Sequence, residues 1–312
     1  VTLYSRLHGG RIRGAGPVIP KTAIVAGVGL AIVAAWPSHA RVKTISEDKP
    51  AVVRVVEKNA SVTTAHETAT AASLEVHDIF VRGERTRVRV EVAAGAKAVL
   101  VLFPGGKGIT KLTDIGELRA AHGNFLIRTR TYFLQRGFTI AVPDAPTDRP
   151  YDLRDGFRAT ADHATDIGAV IKHVRARYDL PVWLIGTSRG TTSVSSAATQ
   201  LEVHKPDGIV LSASMFVDVN NGDHVFDFSW EGVSIPVLVV HHVDDGCWAT
   251  PAGEIPRFRR YAVNANPLSV QLHEGGIDKG RACGPRGHHG FGGIEERVID
   301  DIANWIVNPR PL

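Results

Sequence analysis

Five short, largely apolar runs constrain how this chain folds: Ala98–Phe103, Thr139–Val142, Val182–Ile185, Ile209–Leu211 and Val237–Val240. A strand with one solvated face alternates apolar and polar residues, whereas an unbroken apolar run implies burial on both faces. Helical patterns lie between the runs. Ile167, Val170, Ile171 and Val174 recur at i, i+3, i+4 and i+7, and Ile294, Val298, Ile302, Trp305 and Ile306 trace a second apolar stripe near the end. Two-sided strands alternating with one-sided helices predict an α/β architecture, a mostly parallel central sheet with helices on both faces. Its site is expected at the carboxyl ends of the strands. Leu74–Val81 and Arg87–Ala93 alternate apolar with polar residues, so the first strands are expected to be antiparallel.

The N-terminal region has another character. Residues 22–35 form a 14-residue uncharged apolar run, preceded by Arg6, Arg11, Arg13 and Lys21 and followed by Pro37-Ser38-His39-Ala40. Small residues stand at −3 and −1 for cleavage after Ala40, the layout of a secretory signal. The run is shorter than the ~20 residues of a membrane span. Residues 1–40 are read as a signal peptide, best formed with a start at Val18, and the protein as extracytoplasmic, periplasmic or secreted. An uncleaved anchor and a buried N-terminal helix are the competing readings. Residues 41–73 are polar apart from Ala51–Val56, and read as a tether or a loosely attached first strand, leaving 74–312 as the folded domain.

The same four basic residues account for the whole net charge of +4, which comes from 36 Lys and Arg against 32 Asp and Glu. A pI near 9.1 therefore describes the leader rather than the body, and no basic patch in the body points to nucleic acid. A chain 44% hydrophobic and 22% charged is neither disordered nor a multi-span membrane protein. Two cysteines exclude a four-cysteine zinc module.

The most informative stretch is Pro181-Val182-Trp183-Leu184-Ile185-Gly186-Thr187-Ser188-Arg189-Gly190, a buried strand running into G-x-S-x-G and then a helix-compatible segment through Ala198. Between strand and helix, a tight turn of this kind holds the serine in a strained conformation with Oγ exposed, at a helix N-terminus that favours developing negative charge. Gly186 and Gly190 are expected where a Cβ would clash. Ser188 is thus a candidate nucleophile, and it needs a base. Downstream, Ile235–Val243 ends in Asp244-Asp245, and Gly287-His288-His289-Gly290 precedes the last amphipathic segment. Asp245 is read as the group that orients the imidazole and His289 as the base. Asp244 and Asp218 compete for the first role and His288 for the second, while His241 and His242 are expected to support the acid loop. For an oxyanion, two backbone N–H groups are required. Candidates are Arg189, which follows the nucleophile, and Gly106 in Phe103-Pro104-Gly105-Gly106-Lys107-Gly108. That loop is not a P-loop, because Val101 stands where the first glycine belongs.

Over roughly Leu74–Arg310, on the strength of Gly186–Gly190, the His241–Asp245 strand end and His289-Gly290-Phe291, the chain resembles the α/β-hydrolase superfamily. The order Ser, Asp, His is the one that resemblance implies. It also implies hydrolysis of an ester, thioester or amide through an acyl-enzyme on Ser188, with a small-molecule acyl substrate and no cofactor. The chain departs from common members in carrying Phe103-Pro104 before the oxyanion loop and His241-His242 on the acid strand. Ser188 sets it apart from dienelactone-hydrolase-like members, which use cysteine. The resemblance sets the loops bearing Cys247 and Cys283 side by side, so in an exported protein a disulfide bracing them is expected. By the chain-entropy model it contributes about 3–4 kcal/mol. Residues 212–236, with Met215, Phe216, Phe226, Phe228 and Trp230, read either as a small apolar lid or as core packing. Two rivals stand beside the serine reading. One is a metal-dependent hydrolase using His241, His242, Asp244, Asp245, Cys247, Cys283, His288 and His289, and the other is a binding protein without catalysis on the same fold.

Overall fold

The computed structural model describes residues 51–56, 71–154, 156–218 and 224–312. The expected signal peptide, and most of the expected tether, lie outside the described residues. Among the described residues no helix is long and apolar enough to cross a membrane.

Among the described residues nine strands form one sheet: β1 Val52–Val56, β2 Ala71–Val81, β3 Glu84–Ala93, β4 Val99–Phe103, β5 Thr139–Pro143, β6 Val182–Thr187, β7 Gly208–Ser212, β8 Val237–His242 and β9 Leu268–His273. The spatial order is β1-β2-β3-β5-β4-β6-β7-β8-β9. The pairs β1–β2, β2–β3 and β3–β5 are antiparallel, and from β5 onward every pair is parallel. Within the region read as a tether or loosely attached strand, Val52–Val56 pair along their length with Asp78 to Leu74, and Arg54 reaches Asp78 at 2.7 Å.

The apolar runs are explained by two cores, one on each face. In β4, Val99, Val101 and Phe103 enter one core while Leu100 and Leu102 enter the other. In β6, Val182 and Leu184 oppose Trp183 and Ile185, and in β8 Val237 and Val239 oppose Leu238 and Val240. Each fully buried aliphatic side chain contributes roughly 1.5–3 kcal/mol relative to exposure, so both registers of each strand are fixed by the same force.

The first core is covered by α2 (Ala161–Tyr178), through Ile167, Val170, Ile171 and Val174, with α3 (Gly190–Gln200) and α4 (Ile255–Tyr261) beside it. The second is covered by α1 (Phe125–Gln135) and α5 (Glu295–Val307), through Val298, Ile302, Trp305 and Ile306, with Ile299 added to the expected stripe. The Asn124 side chain caps α1 by accepting from Leu126 N, and Thr160 caps α2 by accepting from His163 N.

Phe216, Phe228 and Trp230 pack into the first core beside Phe258, so these aromatic residues of the 212–236 segment take the core-packing alternative rather than the lid. Strand β9 was not legible as an apolar run. It lies at the sheet edge with Leu272 56% exposed, and an edge strand has no second core to fill. Because β5 lies on one side of β4 and β6 on the other, the sheet reverses direction at β4. The crevice at a reversal, outside the strand carboxyl ends, is where sites form in such sheets.

Candidate active site

Ser188 follows β6 directly and adopts φ 52°, the left-handed region that a residue with a Cβ avoids. The glycines on either side make that turn possible. A Cβ on Gly186 would lie 2.4 Å from the Gly190 carbonyl oxygen, and one on Gly190 would lie 2.0 Å from that of Phe103. Gly105, for which the sequence reading assigned no part, is equally constrained: a Cβ there would lie 2.9 Å from Ser188 Cβ. Ser188 N donates to Ser212 O at 3.0 Å, and Thr191 donates to Ser188 O through its N (2.9 Å) and Oγ1 (2.7 Å). The turn is thereby tied to β7 and to the first turn of α3.

His289 is buried, and its Nδ1 lies 3.0 Å from Asp245 Oδ2 and 3.3 Å from Oδ1. Asp245 also accepts from Cys247 N at 3.0 Å and from Thr250 Oγ1 at 2.9 Å. Burial pushes the Asp245 carboxyl upward. The bond to His289, its charge and the Cys247 N–H outweigh that and hold the carboxyl below its ordinary value. Thr250, fully buried, gave no signal in the sequence.

The competing residues fall elsewhere. Asp244 is exposed, its backbone N donates to His242 Nδ1 at 3.0 Å, and its carbonyl lies 3.2 Å from His288 Nδ1. His288 stacks on His242 with ring centroids 4.1 Å apart. Asp218 is exposed beyond β7. His242 Nε2 donates to Gly275 O at 2.8 Å, so the ring of His242 ties the loop after β8, through Nδ1, to the loop after β9. His241 is fully buried beneath it, stacked on Phe216, and burial lowers its pKa.

Cys247 and Cys283 form a disulfide across 36 residues, joining the loop after β8 to the segment that carries His289. The cysteines are therefore unavailable as thiolate ligands. Of the eight residues that made a metal reading conceivable, His242, Asp244 and His288 bring ligand atoms within 4.8 Å of one another. Both nitrogens of His242 are already hydrogen-bonded, which does not suit that trio to a cation.

Ser188 and His289 line one open cavity of about 500 Å³. Gly105, Gly106 and Lys107 line it from the β4 loop, Ala121 from the stretch before α1, Phe125 from its first residue, and Cys283, Pro285 and Gly290 from the bridged segment. Gly106, with φ 61°, has open space where a Cβ would project. Two residues outside the sequence reading hold the β4 loop. Asp144, at the end of β5, accepts from Thr110 N and Leu112 N, each at 2.8 Å. The buried Arg158 donates to Pro104 O at 3.1 Å, and a Cβ on Gly108 would lie 2.2 Å from its guanidinium. A carboxylate just past a buried strand is a signal the sequence carried for Asp144, whereas nothing marked Arg158.

No family model matches the sequence, and no curated protein matches it. Solved structures do. A soluble variant of monoglyceride lipase from Saccharomyces cerevisiae, in complex with a substrate analogue, is similar at TM-score 0.53 and 12% identity, over 78% of this chain and 96% of its own. An esterase from Pyrococcus furiosus is similar at 0.50 and 10%, over 83% of this chain and 91% of its own. The native structure of a cold-adapted esterase from an Arctic intertidal metagenomic library is similar at 0.50 and 12%, over 76% and 96%. With the sheet order and the strand–turn–helix at Ser188, these likenesses define the chain's fold. It is the α/β-hydrolase fold.

Proposed function

We propose that this protein is an exported serine hydrolase that cleaves carboxylic esters, with thioesters and amides open to the same chemistry. The observation that carries the reading is the sharing of one cavity by a serine in left-handed backbone conformation and an imidazole whose far nitrogen rests on a buried carboxylate. In this reading Ser188 Oγ attacks the carbonyl carbon while its proton passes to His289 Nε2. The tetrahedral oxyanion is received by the backbone N–H groups of Gly106 and Arg189. Collapse breaks the ester C–O bond, and the departing alkoxide takes the proton from His289. Water then repeats the sequence on the acyl-enzyme, releasing the acid and restoring Ser188. Asp245 keeps Nδ1 protonated, so Nε2 is the basic nitrogen.

The esterase and lipase names of the structural neighbours support ester hydrolysis as the reaction class. Export is supported by the leader's charge and apolar pattern and by the pairing of both cysteines, since disulfides persist in oxidising compartments. The test is labelling of the purified protein with a fluorophosphonate, followed by peptide mapping. Label on Ser188 together with turnover of short-chain 4-nitrophenyl esters supports the reading. Absence of both overturns it in favour of a binding protein. Activity abolished by a chelator, without label, favours the metal reading.

A further inference from the structure

Among the described residues lining the cavity, the formally charged ones at neutral pH are Lys107 and Lys111, and none is a carboxylate. Most of the remaining wall is apolar or glycine, including Ile109, Ala121, Phe125 and Pro285. Two carboxylates close in sequence are paired with arginines, Asp152 with Arg154 at 2.6 Å and Glu117 with Arg119 at 3.0 Å, and Asp152 also feels the charge of Lys107. Among the described residues, neither lysine ammonium enters a hydrogen bond or ion pair with the protein.

Lys111 is the more telling of the two. Its backbone has φ 52°, a conformation usually left to glycine. Its neighbours Thr110 and Leu112 are anchored to Asp144, and its own carbonyl accepts from Arg119 N. The root of this side chain is therefore set by the fold, at a place where glycine would be less strained. Strained residues persist where surrounding structure over-determines them, and they cluster at ligand sites. The bridged segment that supplies Cys283 and Pro285 to the cavity also carries exposed Lys279, Arg281 and Arg286 against Asp278.

We propose that the substrate is an ester bearing a carboxylate, received by Lys107 and Lys111 while its ester carbonyl lies at Ser188. The inference rests on the serine-hydrolase reading and adds the substrate class. A lysine is a compact charge on a flexible stem and suits an anion presented at varying reach. Attraction at an open mouth also raises the encounter rate and fades with salt.

The test compares isosteric ester pairs on the full protein. Monomethyl adipate against methyl hexanoate places the carboxylate on the acyl side, and 6-acetoxyhexanoate against hexyl acetate places it on the alcohol side. In at least one pair kcat/KM should favour the anion by about tenfold at low ionic strength, narrowing to about twofold in concentrated salt. In the Lys107→Met/Lys111→Met double variant that ratio should collapse, and in Lys107→Glu/Lys111→Glu it should invert. Fluorophosphonate labelling of Ser188 in each variant reports that the elbow has folded. Preference for the neutral ester in both pairs, with Ser188 labelled, overturns the substrate class and leaves the serine reading standing. Absence of both label and turnover in the unmodified protein overturns the two together.

Discussion

The elbow around Ser188 and the corner that holds Asp245 and His289 are built by different means. At the elbow, the determining contacts are between residues a few positions apart or on adjacent strands: Gly186 against Gly190, Gly190 against Phe103, Ser188 N on Ser212 O. At the corner, the partners are 44 residues apart, and they are held by a disulfide, by Thr250 and by a stack of two histidines rather than by a strand. One region is specified by sterics that tolerate no alternative residue. The other is specified by polar contacts and a covalent bridge that many loop sequences could supply. The elbow's geometry should accordingly survive changes that loosen the corner.

The largest expected effect is at the point where the two regions meet. Ser188→Ala should lower ester turnover by about 10⁴–10⁶-fold while far-UV circular dichroism stays unchanged; retained turnover would break the mechanism. Next, Asp245→Asn should cost about 10³–10⁴-fold in kcat, by presenting the wrong imidazole tautomer. Asp244→Asn should stay within about threefold by the same assay, because it is the Asp244 backbone that contacts His242 and His288. Equal losses in the two variants would remove Asp245 from its role.

Third, Cys247→Ser/Cys283→Ser should lower unfolding free energy by about 3–4 kcal/mol, read by denaturant titration. Hydrogen exchange should rise in peptides spanning 278–291 and stay unchanged across 182–190. Uniform loss of protection would erase the distinction between elbow and corner.

The most gradual effect, spread over several pH units, concerns acid stability beneath the β4 loop. His163 is buried against Phe157, its Nε2 2.9 Å from Ser193 Oγ. Burial first, then the charges of Arg158 and Arg82, push its pKa down to about 3. A histidine depressed in the folded state binds its proton more readily when unfolded. Its stabilisation is therefore complete above the unfolded value near 6.5 and is lost progressively as pH falls toward about 3, by up to about 1.4 kcal/mol per pH unit. Denaturant midpoints measured from pH 7 to 4 should show this slope, and His163→Leu should flatten it.

The parallel strands β4 to β8 and the helices α2 and α5 could be read from periodicity, because burial on two faces or on one face leaves opposite marks on a sequence. Strand β9 left no such mark, since an edge strand is exempt from two-sided burial. Nor was α1 picked out, although its Phe125, Leu126, Phe133 and Leu134 fill the second core. Ser188 was legible because its turn admits only glycine at flanking positions. Asp245 and His289 could be named only beside their neighbours, because Asp244 and His288 carry the same chemistry one position away.

What the sequence determined by itself is the layered α/β architecture and the serine on its tight turn, both consequences of short-range rules: periodic burial and Cβ sterics. What only the tertiary structure decided is which carboxylate faces which imidazole, that Phe216, Phe228 and Trp230 fill a core instead of covering a pocket, and that Asp144 and Arg158 hold the loop beside Ser188. Those outcomes depend on where loops from distant strands end relative to one another. A one-residue change of direction at a strand end exchanges a buried partner for an exposed one, and no local pattern records that choice.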